Sequence, residues 1–414
     1  MSQYGHRGNR ARASQARYTP RQRVTIQPRQ IPDSLGPQVR SLVCADIDTE
    51  CRHGVAEITD CRYLASYNLM DGLSKTILVP GRPALWTPSA NAMKLRADSG
   101  TWYRDQNAAT FPEHPFEPSV CSVFHMNPKF DPSTIDIVAC GSTLGDLLRF
   151  VRGNDSGFSF TVEIVGQTAF FVRRNLYPTE LLKDVVGFGN NFVEANTTWN
   201  HDVKGSTSHQ RLVTYKLGGK TMLVRFEADG YIIDQDEDFD SDDDTHGVPV
   251  SMEAVDEDFK AMFTSPVQVG STDQMILRDR GSGVPQSSVI DIKTRSERKH
   301  RDEVMADQLP RLWLRQIENI VLSFHKGGLF PPAVVEDIRE TISGWEAKNS
   351  AVVAQLSNLI DEVKRAAMEA EGRKIEVRSD EPGILQFHEQ DMAEQSKWCA
   401  LSDTLRKSWE EGGL

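Results

Sequence analysis

Four charged side chains fall on two segments that both have the pattern of β-strands. Glu227 and Asp229 have the spacing E-x-D at the end of one segment, and Asp291 and Lys293 have the spacing D-x-K on the other. Because side chains alternate between the two faces of a strand, each pair lies on one face of its strand. If the two strands are neighbours, three carboxylates and a lysine meet on one surface.

Such a cluster predicts a metal-dependent phosphodiesterase centre. Neighbouring carboxylates repel one another unless a hard cation lies between them, and Mg²⁺ or Mn²⁺ prefers oxygen ligands. The ion lowers the pKa of a bound water, and a lysine beside it can orient that water or stabilise negative charge. Glu227, Asp229, Asp291 and Lys293 are therefore the predicted catalytic residues. An exposed, charged strand face is the alternative, since D-x-K alone is a weak motif.

The strands that carry these residues have clear local signals. The runs 210–217 and 220–233 flank Gly218-Gly219, a pair suited to a two-residue hairpin turn, and 289–294 reads as a short strand. Eight acids among the eleven residues 234–244 predict that 234–286 is a flexible acidic insertion. The predicted catalytic strands therefore lie on either side of this insertion.

The remaining elements surround this pair of strands. Residues 136–174 have a strand–helix–strand pattern, which predicts that the regular core begins at 136, whereas the turn-rich segment 41–135 predicts loops packed onto the domain. An apolar stripe predicts a helix over 306–324, and 331–414 reads as mostly helical with two closing strands at 374–377 and 384–387. These segments form one domain, 41–414.

Composition excludes several classes of protein. The 414 residues are 39% hydrophobic and 26% charged, which excludes a wholly disordered chain and a small disulfide scaffold. We find no apolar run of about 18 residues and no signal-peptide core, so we expect a soluble protein that is neither secreted nor bound to a membrane. The six cysteines are widely spaced, which predicts a reducing compartment without a zinc cluster.

The first 40 residues form a basic arm in a chain whose net charge is −12. The arm has eight arginines and one acid, which predicts disorder and contacts with RNA or DNA phosphates. A solvated tail and a transit peptide are the alternatives. Few leucines and the lack of an apolar face argue against mitochondrial import, so we expect a nuclear or cytoplasmic location.

The segment 211–229, followed by 289–294, resembles the PD-(D/E)XK nuclease superfamily and within it the DXO decapping exoribonuclease family, over residues 136–330. The resemblance implies an α/β (α+β) fold in which helices flank a mixed central sheet. It also implies divalent-metal-dependent hydrolysis at RNA 5′ ends, which removes defective caps or 5′ phosphates. Glu227, Asp229 and Asp291 would be metal ligands, and Lys293 would be the catalytic lysine.

Some family positions match less closely. The acid of D-x-K is usually Glu in the family, and the nearest match to its upstream Glu is Asp146, which is either a metal ligand or a solvent residue. Gln316 corresponds to a substrate-contacting Gln or is a helix-surface residue. Arg104 lines the substrate channel or forms a salt bridge with Asp105, and Arg295 belongs to a basic cluster that binds RNA or lies in a solvated loop.

From about Tyr63 onward, the chain also resembles filamentous-fungal proteins labelled geranylgeranyl pyrophosphate synthetase. We interpret that label as a misnomer, because the sequence lacks two aspartate-rich helical motifs for Mg²⁺-diphosphate. Two other functions stay open for the nuclease-like site. An inactive nuclease fold would be a scaffold that binds RNA or a partner such as a 5′–3′ exoribonuclease, and a DNA endonuclease would use the same residues.

Overall fold

The Gly218-Gly219 hairpin lies at the centre of a large mixed sheet. In this computed structural model, which describes residues 36–70, 75–99, 102–103, 105–154, 157–174, 181–182, 187–233, 275–390 and 399–412, both turn glycines have positive φ, 55° and 79°. Positive φ suits a tight hairpin turn and favours glycine. The two strands pair in register from His209–Ala228 to Leu217–Lys220, which confirms the predicted hairpin.

The described strands and helices have the following bounds. The strands are β1 Gln38–Val43, β2 Ile58–Met70, β3 Thr76–Gly81, β4 Leu85–Trp86, β5 Met93–Lys94, β6 Trp102–Tyr103, β7 Ile137–Cys140, β8 Phe158–Val165, β9 Thr168–Arg173, β10 Leu181–Leu182, β11 Thr197–Thr198, β12 Ser206–Leu217, β13 Lys220–Ala228, β14 Gly230–Tyr231, β15 Ile276–Gly281, β16 Val289–Ser296, β17 Asn319–His325, β18 Leu329–Phe330, β19 Glu336–Asp337, β20 Lys374–Ser379 and β21 Ile384–Glu389. The α-helices are α1 Gln106–Thr110, α2 Glu117–Met126, α3 Gly141–Val151, α4 Gly189–Asn196, α5 Arg301–Arg315, α6 Arg339–Lys348, α7 Ser350–Glu369 and α8 Asp403–Glu411.

These strands form two main sheets in the described part of the chain. The larger has the order β1-β21-β20-β8-β9-β7-β13-β12-β2-β3-β15, and the smaller has the order β11-β4-β14-β16-β17-β19. In the larger sheet β7 is parallel to both β9 and β13, whereas most other pairs are antiparallel. The chain passes from the larger sheet to the smaller one between β13 and β14.

Apolar side chains cover both faces of the larger sheet. Leu148 of α3, Trp313 of α5 and Leu359 of α7 belong to the core on one face, and Val120 of α2 and Trp409 of α8 belong to the core on the other. A smaller core packs α4 against the second sheet. The predicted fold class, a mixed sheet flanked by helices, is confirmed. No described helix is long and apolar enough to cross a membrane.

The prediction that the regular core begins at residue 136 was wrong, because β2 and β3 belong to the central sheet. β2 is 13 residues long and pairs with β12 along its length. Both faces of β2 are covered over residues 65–69, where polar Ser66 and Asn68 are buried between Ala65, Tyr67 and Leu69. Residues 65–69 alternate apolar and polar side chains, but the polar face of the strand is buried as well as the apolar face.

The predicted helix over 306–324 was also wrong in its second half. α5 ends at Arg315, because Gln316 adopts a left-handed conformation with φ 51°, and β17 begins at Asn319. Ile320 and Phe324 fit a helical spacing of four, but residues two and four apart also share one face of a strand. Their apolar pattern was therefore compatible with both structures.

The predicted boundaries of the arm and the acidic insertion shift in the structure. β1 begins at Gln38 and pairs with β21, so the end of the 1–40 arm belongs to the sheet. β15 lies within the predicted 234–286 insertion, yet it pairs in parallel with β3 at an edge of the sheet. Residues 1–35 and 234–274 lie outside the described residues. The closing strands β20 and β21 are confirmed.

Candidate metal-dependent active site

Asp229 and Asp291 come from neighbouring segments, as predicted. Asp229 lies between β13 and β14, and β14 pairs with β16, which carries Asp291. Asp229 Oδ2 accepts hydrogen bonds from the backbone N of Ile292 at 2.7 Å and from Lys293 Nζ at 3.1 Å. The passage of the chain from one sheet to the other therefore places Asp229, the second acid of E-x-D, beside D-x-K.

The Lys293 ammonium lies between two carboxylates. Its Nζ is 2.7 Å from Asp291 Oδ2 and 3.1 Å from Asp229 Oδ2. Burial opposes the charge of Lys293, but the negative charges of Asp229 and Asp291 outweigh burial and raise the pKa of this lysine above its ordinary value. Lys293 therefore stays positively charged at neutral pH.

Asp291 is the most enclosed acid of this group, with 2% of its side chain exposed. Burial alone would raise its pKa, but the charges of Lys293 and Arg315 hold the pKa below the ordinary value of an aspartate. Arg315 Nη1 lies 3.2 Å from Asp291 Oδ1. The sequence prediction missed Arg315, which is adjacent to the predicted Gln316 and is the last residue of α5.

Glu227 is exposed at the end of β13. Its pKa is raised to about 7, first by loss of hydration among the surrounding protein and then by the negative charges of Asp229 and Asp105. The charges of Arg315 and Arg225 act in the opposite direction but are weaker. In the metal-free protein, Glu227 therefore stays protonated to a higher pH than an ordinary glutamate.

Further charged residues lie where parallel strands end. The carboxyl ends of β7, β9 and β13 meet at one edge of the sheet, the place where ligands bind in many α/β proteins. Arg225 donates a hydrogen bond from Nη2 to Cys140 Sγ at 3.0 Å, and Arg173 Nη1 is 3.6 Å from Asp105 Oδ2. Arg225 is on the same strand face as Glu227, so period-two alternation was a signal for its position. That face was predicted to be charged, but Leu223 and Arg225 on it are buried.

The other predicted residues have these positions. Asp146 lies on α3, is 6% exposed and forms an ion pair with Arg149 of the same helix. Gln316 donates a hydrogen bond from Nε2 to Trp313 O at 2.7 Å, within its own helix end. Arg295 shares a strand face with Lys293 and donates from Nη1 to the carbonyl of Thr294 at 2.8 Å. Arg104 lies outside the described residues.

The carboxylates have the oxygen atoms that an Mg²⁺ or Mn²⁺ site uses, but the described side chains are not arranged around such an ion. In the described part of the chain, no group of three or more His, Cys, Asp or Glu side chains is placed to hold a metal ion. However, the candidate ligands are all carboxylate oxygens, which suit hard cations. Asp291 Oδ2 is buried, and Lys293 Nζ lies 2.7 Å from it. Asp229, Asp291 and Glu227 would therefore fit a divalent ion by the chemistry of their oxygen atoms.

Solved structures of Rai1 have the same fold. Scheffersomyces stipitis Rai1 in complex with (3′-NADP)+ and calcium ion has a TM-score of 0.57 at 10% identity, with 90% of this chain and 100% of that chain covered. Candida albicans Rai1 in complex with pU5-Mn²⁺ has a TM-score of 0.53 at 9% identity, with 90% of this chain and 98% of that chain covered. S. pombe Rai1 has a TM-score of 0.53 at 9% identity, with 84% of this chain and 98% of that chain covered.

Sequence comparisons match this chain to a protein family but to no curated protein. A family described as a domain of unknown function, DUF8563, matches residues 41–396, and the chain therefore belongs to that family.

Proposed function

We propose that this protein is a metal-dependent hydrolase of RNA 5′ ends, of the decapping, pyrophosphohydrolase and 5′–3′ exoribonuclease type. The observation that carries the proposal is the position of Lys293 Nζ, 2.7 Å from Asp291 and 3.1 Å from Asp229 on neighbouring strands. The shared fold with Rai1 supports it, because the Candida albicans protein was solved with pU5 and Mn²⁺. A lysine beside two carboxylates is also an arrangement that can promote phosphodiester hydrolysis, because the carboxylates can hold a metal ion and the lysine can stabilise negative charge.

Asp229, Asp291 and Glu227 are the residues that would hold Mg²⁺ or Mn²⁺. When bound, such an ion lowers the pKa of a water molecule and offsets negative charge on the phosphate under attack. Asp291 is fixed in its ionised form by Lys293 and Arg315. Glu227 is exposed and is the acid of this group that substrate and solvent reach most easily.

The side chains of the centre have distinct roles in the proposed reaction. Lys293 keeps its charge and stabilises negative charge that develops on the phosphate oxygens. Glu227 would bind the ion in its carboxylate form together with Asp229 and Asp291. Arg295 lies on the same strand face as Lys293 and contributes positive charge toward the RNA backbone.

A second candidate function is an RNA-binding protein without hydrolytic activity. The arrangement of the acids favours it, because Lys293 and Arg315 already neutralise Asp291, and Asp146 pairs with Arg149. No described group of three or more His, Cys, Asp or Glu side chains is placed to hold a metal ion. Such a protein would bind RNA without cleaving it.

The test is cleavage of 5′-labelled RNAs that carry a triphosphate, a monophosphate or an unmethylated cap, with Mg²⁺ or Mn²⁺ and with single-stranded DNA as a further substrate. We expect wild type to release the 5′ label from RNA, and Asp229→Asn and Lys293→Gln to lose at least about 100-fold in rate. Asp60→Asn is a matched control, because Asp60 is exposed and pairs with Lys216. RNA binding without cleavage would support the second candidate, and preference for DNA would contradict both.

A further inference from the structure

We propose that Gln286 is a positioning residue of the candidate active site, because it holds the end of α5 and thereby keeps Arg315 beside Asp291. Gln286 lies in the turn Gln286–Ser288, which leads into β16. Its side chain makes its described hydrogen bonds to the end of α5 and to Arg211, rather than to the acids of the site. It therefore acts through Arg315, and its effect on hydrolysis rests on the proposed function.

The side-chain amide of Gln286 connects two parts of the fold. Its Nε2 donates to the carbonyl of Gln316 at 2.8 Å and to the carbonyl of Arg315 at 3.2 Å. Its Oε1 accepts a hydrogen bond from Arg211 Nε at 2.6 Å. These partners fix the orientation of the amide, because an arginine can only donate and a carbonyl can only accept. Gln286 therefore connects β12 of the larger sheet with the C-terminus of α5.

The end of α5 depends on partners outside the helix. Gln316 has φ 51°, in the left-handed region that residues other than glycine rarely adopt. The N–H groups of Gln316 and Ile317 bond carbonyls one turn back, but the last carbonyls of a helix have no intrahelical donor. The Gln286 amide supplies donors to the carbonyls of Arg315 and Gln316. It therefore stabilises the turn that ends the helix.

Arg211 fixes the other side of the Gln286 amide. It lies on β12 and is 0% exposed, and its guanidinium carbon is 4.0 Å from the centre of the Tyr63 ring. Its Nη2 donates to Val284 O at 2.5 Å, two residues before Gln286. Burial lowers the pKa of Arg211 to about 10, so it still carries its proton at neutral pH. A buried, charged donor in the central sheet therefore fixes the position of Gln286.

Arg315 carries the effect of this contact to the active site. Its Nη1 lies 3.2 Å from Asp291 Oδ1, and its side chain is 23% exposed. Gln286 bonds the backbone carbonyl of Arg315 itself, so a shift of the helix end moves the base of the arginine side chain. Gln286 also lies five residues before Asp291, in the segment that enters β16. One side chain therefore sets the position of α5 relative to the strand that carries Asp291.

The first test is local hydrogen exchange, measured on the full chain by mass spectrometry. Gln286→Met keeps nearly the size of the side chain and removes its hydrogen bonds. The amides of Gln316 and Ile317 should then exchange at least about tenfold faster, because the turn that they close is less stable. Gln355→Met is the matched control, because Gln355 is also half-buried and donates to one carbonyl, Ile47 O. Unchanged exchange of the two amides in folded Gln286→Met would overturn the inference.

The second test asks whether Gln286 acts through Arg315. The Tm is measured for wild type, Gln286→Met, Arg315→Gln and the double variant. We expect the double variant to lose less Tm than the sum of the two single losses, because the ion pair of Arg315 with Asp291 depends on the contact with Gln286. Gln355→Met combined with Arg315→Gln should give additive losses. Additive losses for Gln286→Met as well would contradict positioning of Arg315.

The effect on the reaction is measured in the same variants by release of a 5′ label from RNA in Mn²⁺. We expect Gln286→Met to lower kcat about tenfold with KM changed by less than about twofold, and to cause no further fall when Arg315→Gln is present. Gln355→Met should keep the kcat of wild type. A tenfold fall that persists in the Arg315→Gln background would overturn the positioning role.

These measurements distinguish the inference from the proposed function, because hydrogen exchange and Tm require neither a metal ion nor cleavage. A wild type that releases no label contradicts the hydrolase, while faster exchange and coupled Tm losses still support the contact of Gln286 with the end of α5. A wild type that cleaves RNA while exchange in Gln286→Met is unchanged supports the hydrolase and overturns the inference.

Discussion

Arg315 Nη1 lies 3.2 Å from Asp291 Oδ1, so the last residue of α5 neutralises an almost fully buried acid on β16. The contact joins the helix to the strand that carries D-x-K. It also explains how Asp291 stays ionised although it is buried, because Lys293 and Arg315 provide two positive charges beside one carboxylate. The position of α5 thus affects the electrostatics of the candidate active site.

Arg315→Gln should lower the free energy of unfolding. Loss of one partner from a buried ion pair is strongly destabilising, but Asp291 keeps Lys293, so we expect a loss of about 2 kcal/mol. Urea unfolding measures it. Lys216→Gln is the matched control, because its ion pair with Asp60 is exposed, and we expect it to cost under about 0.5 kcal/mol. Equal losses of unfolding free energy in the two variants would contradict a stabilising ion pair between Arg315 and Asp291.

Metal binding should depend on Asp229 but not on Asp146. Mn²⁺ in large excess should raise the Tm of wild type by roughly 2–5 °C, because it binds only the folded state. Asp229→Asn should remove this rise, since Asp229 is one of the two carboxylates beside Lys293. Asp146→Asn should keep it, because Asp146 pairs with Arg149. Loss of the rise in Asp146→Asn alone would restore Asp146 as the metal ligand.

Glu227 should make the metal-free protein less stable as the pH rises. Its pKa is raised to about 7 in the folded state from an ordinary value near 4.5, so the folded state binds more protons between these values. Stability of wild type relative to Glu227→Gln should therefore fall from about pH 5 to pH 8. The Tm of wild type and of Glu227→Gln, measured against pH in EDTA, gives this difference. Curves of Tm against pH that stay parallel would exclude a raised pKa for Glu227.

Glu362 should have the opposite effect. Burial would raise its pKa, but hydrogen bonds from Arg52, Arg40 and Arg365 lower the pKa to about 2. The ionised form therefore stabilises the fold above about pH 4.5, and this contribution is lost as the pH falls toward 2. Glu362→Gln should cost about 1–2 kcal/mol at pH 7, a modest value because the arginines are partly exposed. Urea unfolding should show that the difference in free energy of unfolding between wild type and Glu362→Gln shrinks below pH 4.5. A difference that does not change with pH would contradict the lowered pKa of Glu362.

Two glycines should respond oppositely to alanine. Gly145 lies inside α3 with no atom within 4 Å of an added Cβ, so Gly145→Ala should stabilise the protein by up to about 1 kcal/mol. Gly218 has φ 55°, and an added Cβ would collide with Ser357, so Gly218→Ala should destabilise by at least about 2 kcal/mol. Thermal and urea unfolding check both values. A stabilised Gly218→Ala would mean that the hairpin does not pack against α7 as described.

The parts of the fold that the sequence predicts are those with strong local signals. The hairpin follows from Gly218-Gly219 and from alternation on both sides of it, and β16 follows from Ile290 and Ile292 alternating with charges. β2 also alternates over residues 65–69, but the many turn residues of 41–135 favour loops in this part of the sequence. The burial of its polar face, where Ser66 donates to Pro80 O at 2.7 Å, depends on a distant backbone group that no local pattern contains.

The sequence predicted which carboxylates and which lysine belong to the candidate site, but it did not predict all of their contacts. E-x-D and D-x-K were identified from spacing, and strand pairing brings Asp229 of the first motif beside the second. Arg315 was not identified, because the apolar stripe extends the predicted helix to Phe324 and gives no sign that Gln316 ends it. Which acids are ionised depends on charges from four separate segments, and no local pattern contains that information.

The most direct test of the proposed hydrolase is the rate of 5′-label release from monophosphorylated RNA in Mn²⁺, compared between wild type and Asp291→Asn. Asp291→Asn keeps the size of the buried side chain and removes the charge that Lys293 and Arg315 contact. We predict Mn²⁺-dependent release by wild type and a rate at least about 100-fold lower for the variant. Equal rates for the two folded proteins, or no release by wild type at any RNA 5′ end, would contradict the account.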